Sequence, residues 1–302
     1  MATNPWTSRS LLGLKGMSAE EITAILDRAQ HWEQHPNKVH DVLNGQMVAN
    51  MFFENSTRTR SSFEVAQKRL GAQVLNFSAA ESSVAKGESI YDTVKTLESM
   101  GIDAGVIRLK PIGVLAELAT KIQMPLINAG DGNNEHPTQA LLDLYTMRKH
   151  FGSLKGLTVS IVGDILHSRV ARSNLWALQT MGAHVQFVAP PNLKADELEA
   201  HAPYVSFDEA LKADVVMMLR VQLERHDGDQ FNSAKQYRAS YGLTAERAAN
   251  LAPSTLIMHP APVNRDVEID DSVVEHPQSK IFEQMANGVP IRMAVIERAL
   301  TN

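Results

Sequence analysis

The chain has no cysteine in its 302 residues, which excludes disulfides, thiolate metal sites and cysteine nucleophiles. That absence fits a reducing compartment. No apolar run approaches the length needed to span a bilayer, and the first residues lack the basic-then-apolar layout of a secretory signal. A cytoplasmic protein is expected. Positive charge is not in excess either. Twenty-nine basic residues face thirty-four acidic ones, a net charge of −5, so neither a nucleic acid nor a membrane surface is the expected partner. There is no low-complexity tract and no short internal repeat. The loop that begins at Gly163 lacks the spaced glycines of a dinucleotide fingerprint, and neither a cofactor nor a metal is expected.

What is present describes a globular chain with a substantial core: 44% hydrophobic and 21% charged residues, over a length that suits about two domains. Ser18-Ala19-Glu20-Glu21 reads as a capping box, with Ile22, Ile25, Leu26 and Ala29 on one face of the helix that follows. Apolar runs at 47–53, 104–109, 125–128, 157–162, 184–188, 214–219 and 255–258 suit buried strands. Helical spacing marks the segment through Phe63, Ala66, Gln67 and Leu70, and the segments 114–121, 138–150, 169–181 and 289–300. Alternating elements with uniformly apolar strands predict an α/β protein of two domains, each a parallel sheet flanked by helices, with the active site in the cleft between them. The expected division is 1–149 and 150–302, with the last helix, 289–302, free to pack on the first domain.

In such sheets ligands gather at the carboxyl ends of strands, and the polar clusters of this chain fall there. Asn55-Ser56-Thr57-Arg58-Thr59-Arg60 lies between a strand and a helix. Unpaired N–H groups and the helix dipole favour an anion at such a place, and three hydroxyls and two arginines reinforce it. Arg108 ends another strand. A glycine-rich loop then leads through His136-Pro137-Thr138-Gln139 into a helix. Gly163-Asp164 to Arg169, Arg220-Val221-Gln222 and His259-Pro260-Ala261-Pro262 occupy the same kind of place in the second series. Arg220 invites a surface ion pair with Glu224 as its plain alternative. Ala261-Pro262 suits a cis peptide or an ordinary trans turn. The stretches 79–88 and 223–242 read as flexible loops, the second able to close over a substrate.

The ordered set S-T-R-T-R (56–60), K-G-E (86–88), H-P-T-Q (136–139), G-D (163–164) with Arg169, L-R-V-Q (219–222) and H-P-A-P (259–262) resembles the aspartate/ornithine carbamoyltransferase family over nearly the whole chain. Lys86 before Gly87-Glu88, and H-P-A-P before Val263-Asn264-Arg265, resemble its aspartate-using branch. One departure is Leu109, where relatives often carry histidine; its side chain is expected to point away from a ligand held by Arg108.

The resemblance implies transfer of the carbamoyl group of carbamoyl phosphate to the amine of L-aspartate, a step in pyrimidine biosynthesis. It assigns the phosphate to Ser56, Thr57, Arg58, Thr59 and Arg108. The carbonyl oxygen falls to Arg58, Thr59 and His136, and the carbamoyl NH2 to Gln139 and the carbonyls of Pro260 and Ala261, with Pro262 alongside. The aspartate carboxylates fall to Arg169, Arg220, Gln222 and Lys86. His136 can be read as a general base or as a hydrogen-bond donor, and the donor role is preferred because departing phosphate accepts a proton itself. Arg58, Thr59, Lys86 and His136 form the expected catalytic set. Ser82 (or Ser83) and Lys86 would come from an adjacent subunit, which implies a homotrimer with shared sites. A regulatory chain or another pathway enzyme is a further possible partner. The alternatives are an ornithine-type enzyme, or a paralogue that binds carbamoyl phosphate without catalysis.

Overall fold

A computed structural model describes residues 8–36, 39–78, 87–221 and 234–301. In chain order the elements begin α1 (Ala19–Glu33), β1 (Met47–Phe52), α2 (Thr57–Arg69), β2 (Gln73–Ser78), α3 (Ile90–Ser99), β3 (Ala104–Leu109), α4 (Val114–Lys121), β4 (Leu126–Asp131) and α5 (Pro137–Phe151). They continue with β5 (Thr158–Val162), α6 (Arg169–Thr180), β6 (His184–Val188), α7 (Asp196–Glu199), α8 (Phe207–Ala210), β7 (Val215–Met218) and α9 (Ala234–Tyr241). The last are α10 (Ala245–Ala249), β8 (Leu256–Met258), α11 (Asp271–Val274) and α12 (Ile281–Leu300).

The strands form two four-stranded sheets, ordered β2-β1-β3-β4 and β6-β5-β7-β8, with every pairing parallel. Strands buried along most of their length, as β1, β4 and β7 are, need cover on both faces, and parallel crossovers supply it with helices. The chain divides into two compact units, Met1–Leu142 with Ala286–Asn302, and Asp143–Met285. Both division points fall inside helices, α5 and α12.

In the first unit Met51, Ile107, Leu115, Leu118 and Leu126 form the core beneath α3 and α4. The capping box predicted at Ser18 is made, with Ser18 and Glu21 bonded reciprocally. Helix α12 closes this unit. Glu297 accepts from Arg28 at 2.6 Å and from Trp32 Nε1 at 2.9 Å, and the Arg292 guanidinium lies over the Phe63 ring at 5.0 Å. Helical spacing marks this helix from Val289. It starts at Ile281 instead, with Pro290 inside the helix. Strand β2 and helix α3 were missed. Strand β2 alternates too weakly to register, and α3 follows directly on a stretch that reads as loop.

In the second unit Val162, Val216, Met218, Ile257 and Ile281 share a core. Asp270 ties three short helices together. Its carboxylate accepts from Arg238 of α9 at 2.5 and 2.7 Å and from the Ala245 amide at 3.0 Å, and the residue precedes α11. Burial alone would raise its pKa, but the Arg238 and Ala245 hydrogen bonds outweigh that and hold it below the ordinary value. A depressed folded-state pKa contributes stability above the unfolded value and loses it as pH falls through the folded one. Asp270→Asn is therefore expected to lower the melting temperature at neutral pH, with the difference closing as pH drops below about 4. Thermal unfolding of both proteins across that range checks it.

Candidate active site

In the first unit the candidate residues cluster at the carboxyl ends of β1, β3 and β4. Phe52 and Arg108 are register partners, and the Phe53 amide bonds the Arg108 carbonyl at 3.0 Å. The Arg108 side chain ion-pairs with Glu54 at 2.5 Å and donates to the Ala129 carbonyl at 3.2 Å. Leu109, one residue on, packs into the core, as alternation along a strand requires.

Helix α2 is seated on β1 by a reciprocal amide pair. Asn50 Nδ2 donates to Gln67 Oε1 at 2.9 Å, and Gln67 Nε2 donates back to Asn50 Oδ1 at 2.8 Å, both side chains fully buried. Removing either partner would leave a buried amide unmet, at a cost of about 1–3 kcal/mol. The start of α2 differs from those of α1 and α3. Ser18 and Ser89 cap α1 and α3 with their side chains, and both helices carry acids in the first turn. Ser56 makes no side-chain cap bond and the first turn of α2 has no acid; it holds Thr57, Arg58 and Thr59 instead. Cations at the positive end of a helix oppose its dipole, a local cost that a bound anion would offset.

His136 and Gln139 are placed by a turn between β4 and α5. Gly132, at φ 51°, could carry no side chain, since a Cβ there would lie 2.7 Å from the Lys110 carbonyl. His136 precedes the helix, and its carbonyl accepts from Gln139 and Ala140. Both side chains are nearly buried, at 5% and 9% exposure. The residue that fixes this turn is Glu135, which sequence reasoning missed. Its carboxylate accepts from the Leu14 amide at 2.8 Å and the Lys15 amide at 3.2 Å. Gly13 packs so close to it that a Cβ would clash. The available signal was an acidic residue between a glycine-rich loop and a proline.

The second unit repeats the arrangement with other residues. Gly163 ends β5 at φ 134°, against Leu219, where even a Cβ would be crowded at 3.1 Å. Asp164 accepts from the His167 amide at 3.1 Å, which shapes the turn into α6. Ser168 caps that helix by accepting from Ala171, and Arg169 is its first residue, again a cation at a positive helix end. Arg220 follows β7, and its Nε is 3.4 Å from Asn264 Oδ1. Ala261–Pro262 is cis, and Ala261 has φ 54°, a region that residues with a Cβ rarely enter.

Beneath this loop runs a buried polar chain that the sequence did not disclose. Asn174 and Gln284 each donate to Asp143 at 2.8 Å, Gln284 accepts from the His259 amide at 2.9 Å, and the His259 ring reaches Glu268 at 3.1 Å. Tyr237 lies near it, and burial, with the Glu268 charge second, pushes its phenol well above the ordinary pKa.

Ser82, Lys86, Gln222 and Glu224 lie outside the described residues, as does most of the stretch 223–242, of which 234–241 is helix α9. Among the described residues no cluster could hold a metal ion and no helix is long and apolar enough to cross a membrane.

The family model for the carbamoyl-phosphate-binding domain of aspartate/ornithine carbamoyltransferases matches residues 9–149, and that for the Asp/Orn-binding domain matches 155–299. Solved structures agree. Aspartate transcarbamoylase from Trypanosoma cruzi, in complex with carbamoyl aspartate and phosphate, is 33% identical; the match covers 97% of this chain and 96% of that one, with a TM-score of 0.87. The same enzyme with carbamoyl phosphate and aspartate is 32% identical, with 97% of each chain covered and a TM-score of 0.87. The catalytic subunit of M. jannaschii aspartate transcarbamoylase is 36% identical over 96% of this chain and 97% of that one, with a TM-score of 0.85.

Proposed function

The chain belongs to the aspartate/ornithine carbamoyltransferase family, and from that premise we propose that it is an aspartate carbamoyltransferase: it transfers the carbamoyl group of carbamoyl phosphate to L-aspartate, releasing N-carbamoyl-L-aspartate and phosphate. The observation that carries this reading is the doubled arrangement of cations, Arg58 with Arg108 at one sheet's carboxyl edge and Arg169 with Arg220 at the other's. One substrate is a phosphate ester and the other a dicarboxylate, and each needs such a set.

In the reaction the aspartate nitrogen attacks the carbonyl carbon, the bond from that carbon to the phosphate oxygen breaks, and the departing phosphate takes the amine proton. Negative charge grows on the carbonyl oxygen meanwhile. Arg58, Thr59 and His136 donate to it, while Ser56, Thr57 and Arg108 join Arg58 and Thr59 in holding the phosphate. Gln139 and the carbonyls of Pro260 and Ala261 accept from the carbamoyl NH2, with Pro262 completing that turn. Arg169, Arg220, Gln222 and Lys86 hold the carboxylates. By function the domains are taken as 1–149 and 150–302, with the last helix, 289–302, packed on the first. The reaction belongs to cytoplasmic pyrimidine synthesis. An ornithine-type enzyme would need an acid for the cationic side chain where this chain has Arg220. Colorimetric detection of carbamoylated product, with aspartate and ornithine offered separately, tests the reading; product from ornithine alone, or from neither, overturns it.

The active form is a homotrimer in which Ser82 and Lys86 serve the neighbouring subunit. Mixing inactive Lys86→Ala and Arg58→Ala proteins under conditions of subunit exchange is then expected to restore about a third of wild-type activity per complementing site. Exchanged trimers that stay inactive would refute the sharing.

A further inference from the structure

Glu268 is fully buried, yet nothing in the reaction above uses it. A buried carboxylate is a costly way to fill space, and its desolvation is offset only by good hydrogen bonds. Oε1 receives two of them. The Asn264 amide donates at 2.6 Å and His259 Nε2 lies at 3.1 Å. Oε2 is buried with no hydrogen-bond partner among the described residues. On the far side of the ring, His259 Nδ1 accepts from the Ala261 amide at 2.9 Å. An imidazole that accepts at Nδ1 carries its proton on Nε2, so the ring is neutral and donates to Glu268.

Two paths therefore leave one carboxylate oxygen. The first runs through the His259 ring to the Ala261 amide, in the turn whose Pro260 and Ala261 carbonyls are assigned to the carbamoyl NH2. The second runs through Asn264. Its amide is held by Glu268, its Nδ2 donates to the Val221 carbonyl at 3.0 Å, and its Oδ1 faces Arg220 Nε at 3.4 Å. Asn264 thereby grips the strand end that carries Arg220 and the guanidinium itself.

We infer that Glu268 is a positioning residue which sets the geometry of both substrate-binding loops of the second unit, the carbamoyl turn through His259 and the aspartate-binding Arg220 through Asn264. The inference rests on the proposed function and adds residues that touch neither substrate. A packing role would answer to volume alone. Here the requirement is an oxygen that accepts two bonds at one point.

The test is a kinetic split on the full-length protein with three variants. Glu268→Ala should raise the half-saturation concentrations of both substrates, each by about 10- to 100-fold, the scale expected when a group is displaced by about 1 Å. Glu268→Gln keeps an accepting oxygen and puts its NH2 where Oε2 has no partner. It should lose thermal stability yet keep both constants within about twofold of wild type. Asn264→Ala should raise the aspartate constant by about tenfold and leave carbamoyl phosphate unchanged. If Glu268→Ala does not fold, Asn264→Ala decides alone. An unchanged aspartate constant in Asn264→Ala, or an equal rise for both substrates, overturns the inference while wild-type turnover keeps the proposed function standing. A wild-type chain that forms no carbamoyl-aspartate overturns both.

Discussion

Arg58→Ala should lose about 10²- to 10³-fold in kcat, the scale seen when one preorganised donor to a developing oxyanion is removed, or roughly 2.7–4 kcal/mol of transition-state stabilisation. The loss should not be confined to kcat. Arg58 lies in the first turn of α2, whose cap hydroxyl is unspent and whose first turn has no acid. The same guanidinium is assigned to the phosphate, so carbamoyl phosphate binding should weaken as well. Lysine in its place would restore charge without the planar fork and should recover only part of the rate. Steady-state kinetics in carbamoyl phosphate, with aspartate saturating, measure both effects. A variant with unchanged kcat would remove Arg58 from the catalytic set.

Arg220→Ala should separate the substrates. Removing a charge-assisted contact to a carboxylate costs about 1.5–3 kcal/mol, so the aspartate requirement should rise roughly 10- to 100-fold. Carbamoyl phosphate binding should barely move, because the phosphate contacts are assigned to the other sheet. Arg220 enters the loop after β7, and its Nε lies 3.4 Å from Asn264 Oδ1. Titration of each substrate at saturating concentrations of the other reads the two constants. Equal losses would refute the division of labour.

Much of this was legible in the sequence because the signals are local. Each strand that was found is a short apolar run, and each candidate cation except Lys86 sits within a few residues of where such a run stops. The anion turn of α2 is written in five consecutive residues, and the register partner of Phe52 proved to be the other phosphate candidate, Arg108. The two helix-start arginines, Arg58 and Arg169, also stand where strand-to-helix spacing put them. What was not legible is held together over long separations. Asn50 and Gln67 form one pair, and Gln67 was read only as one more residue on a helix face. Glu135 meets amides more than a hundred positions away. Glu268 carries no local signal at all, and only the fold buries it against His259. The start of α12 was placed eight residues late: the helix runs from Ile281 with Pro290 inside it, and proline inside a helix is unusual enough that local pattern favours a start beside it.

The way the last helix joins the first unit has a consequence for biosynthesis. Glu297 pairs with Arg28, Arg298 donates to the carbonyls of Ser8, Arg9 and Ser10, and Arg292 covers Phe63 on the helix that begins with the anion turn. The α12 member of each pair does not exist while the ribosome is still reading the message for the second unit. The unit made first is therefore completed only once α12 emerges, and until then α2 lacks the Arg292 contact on Phe63.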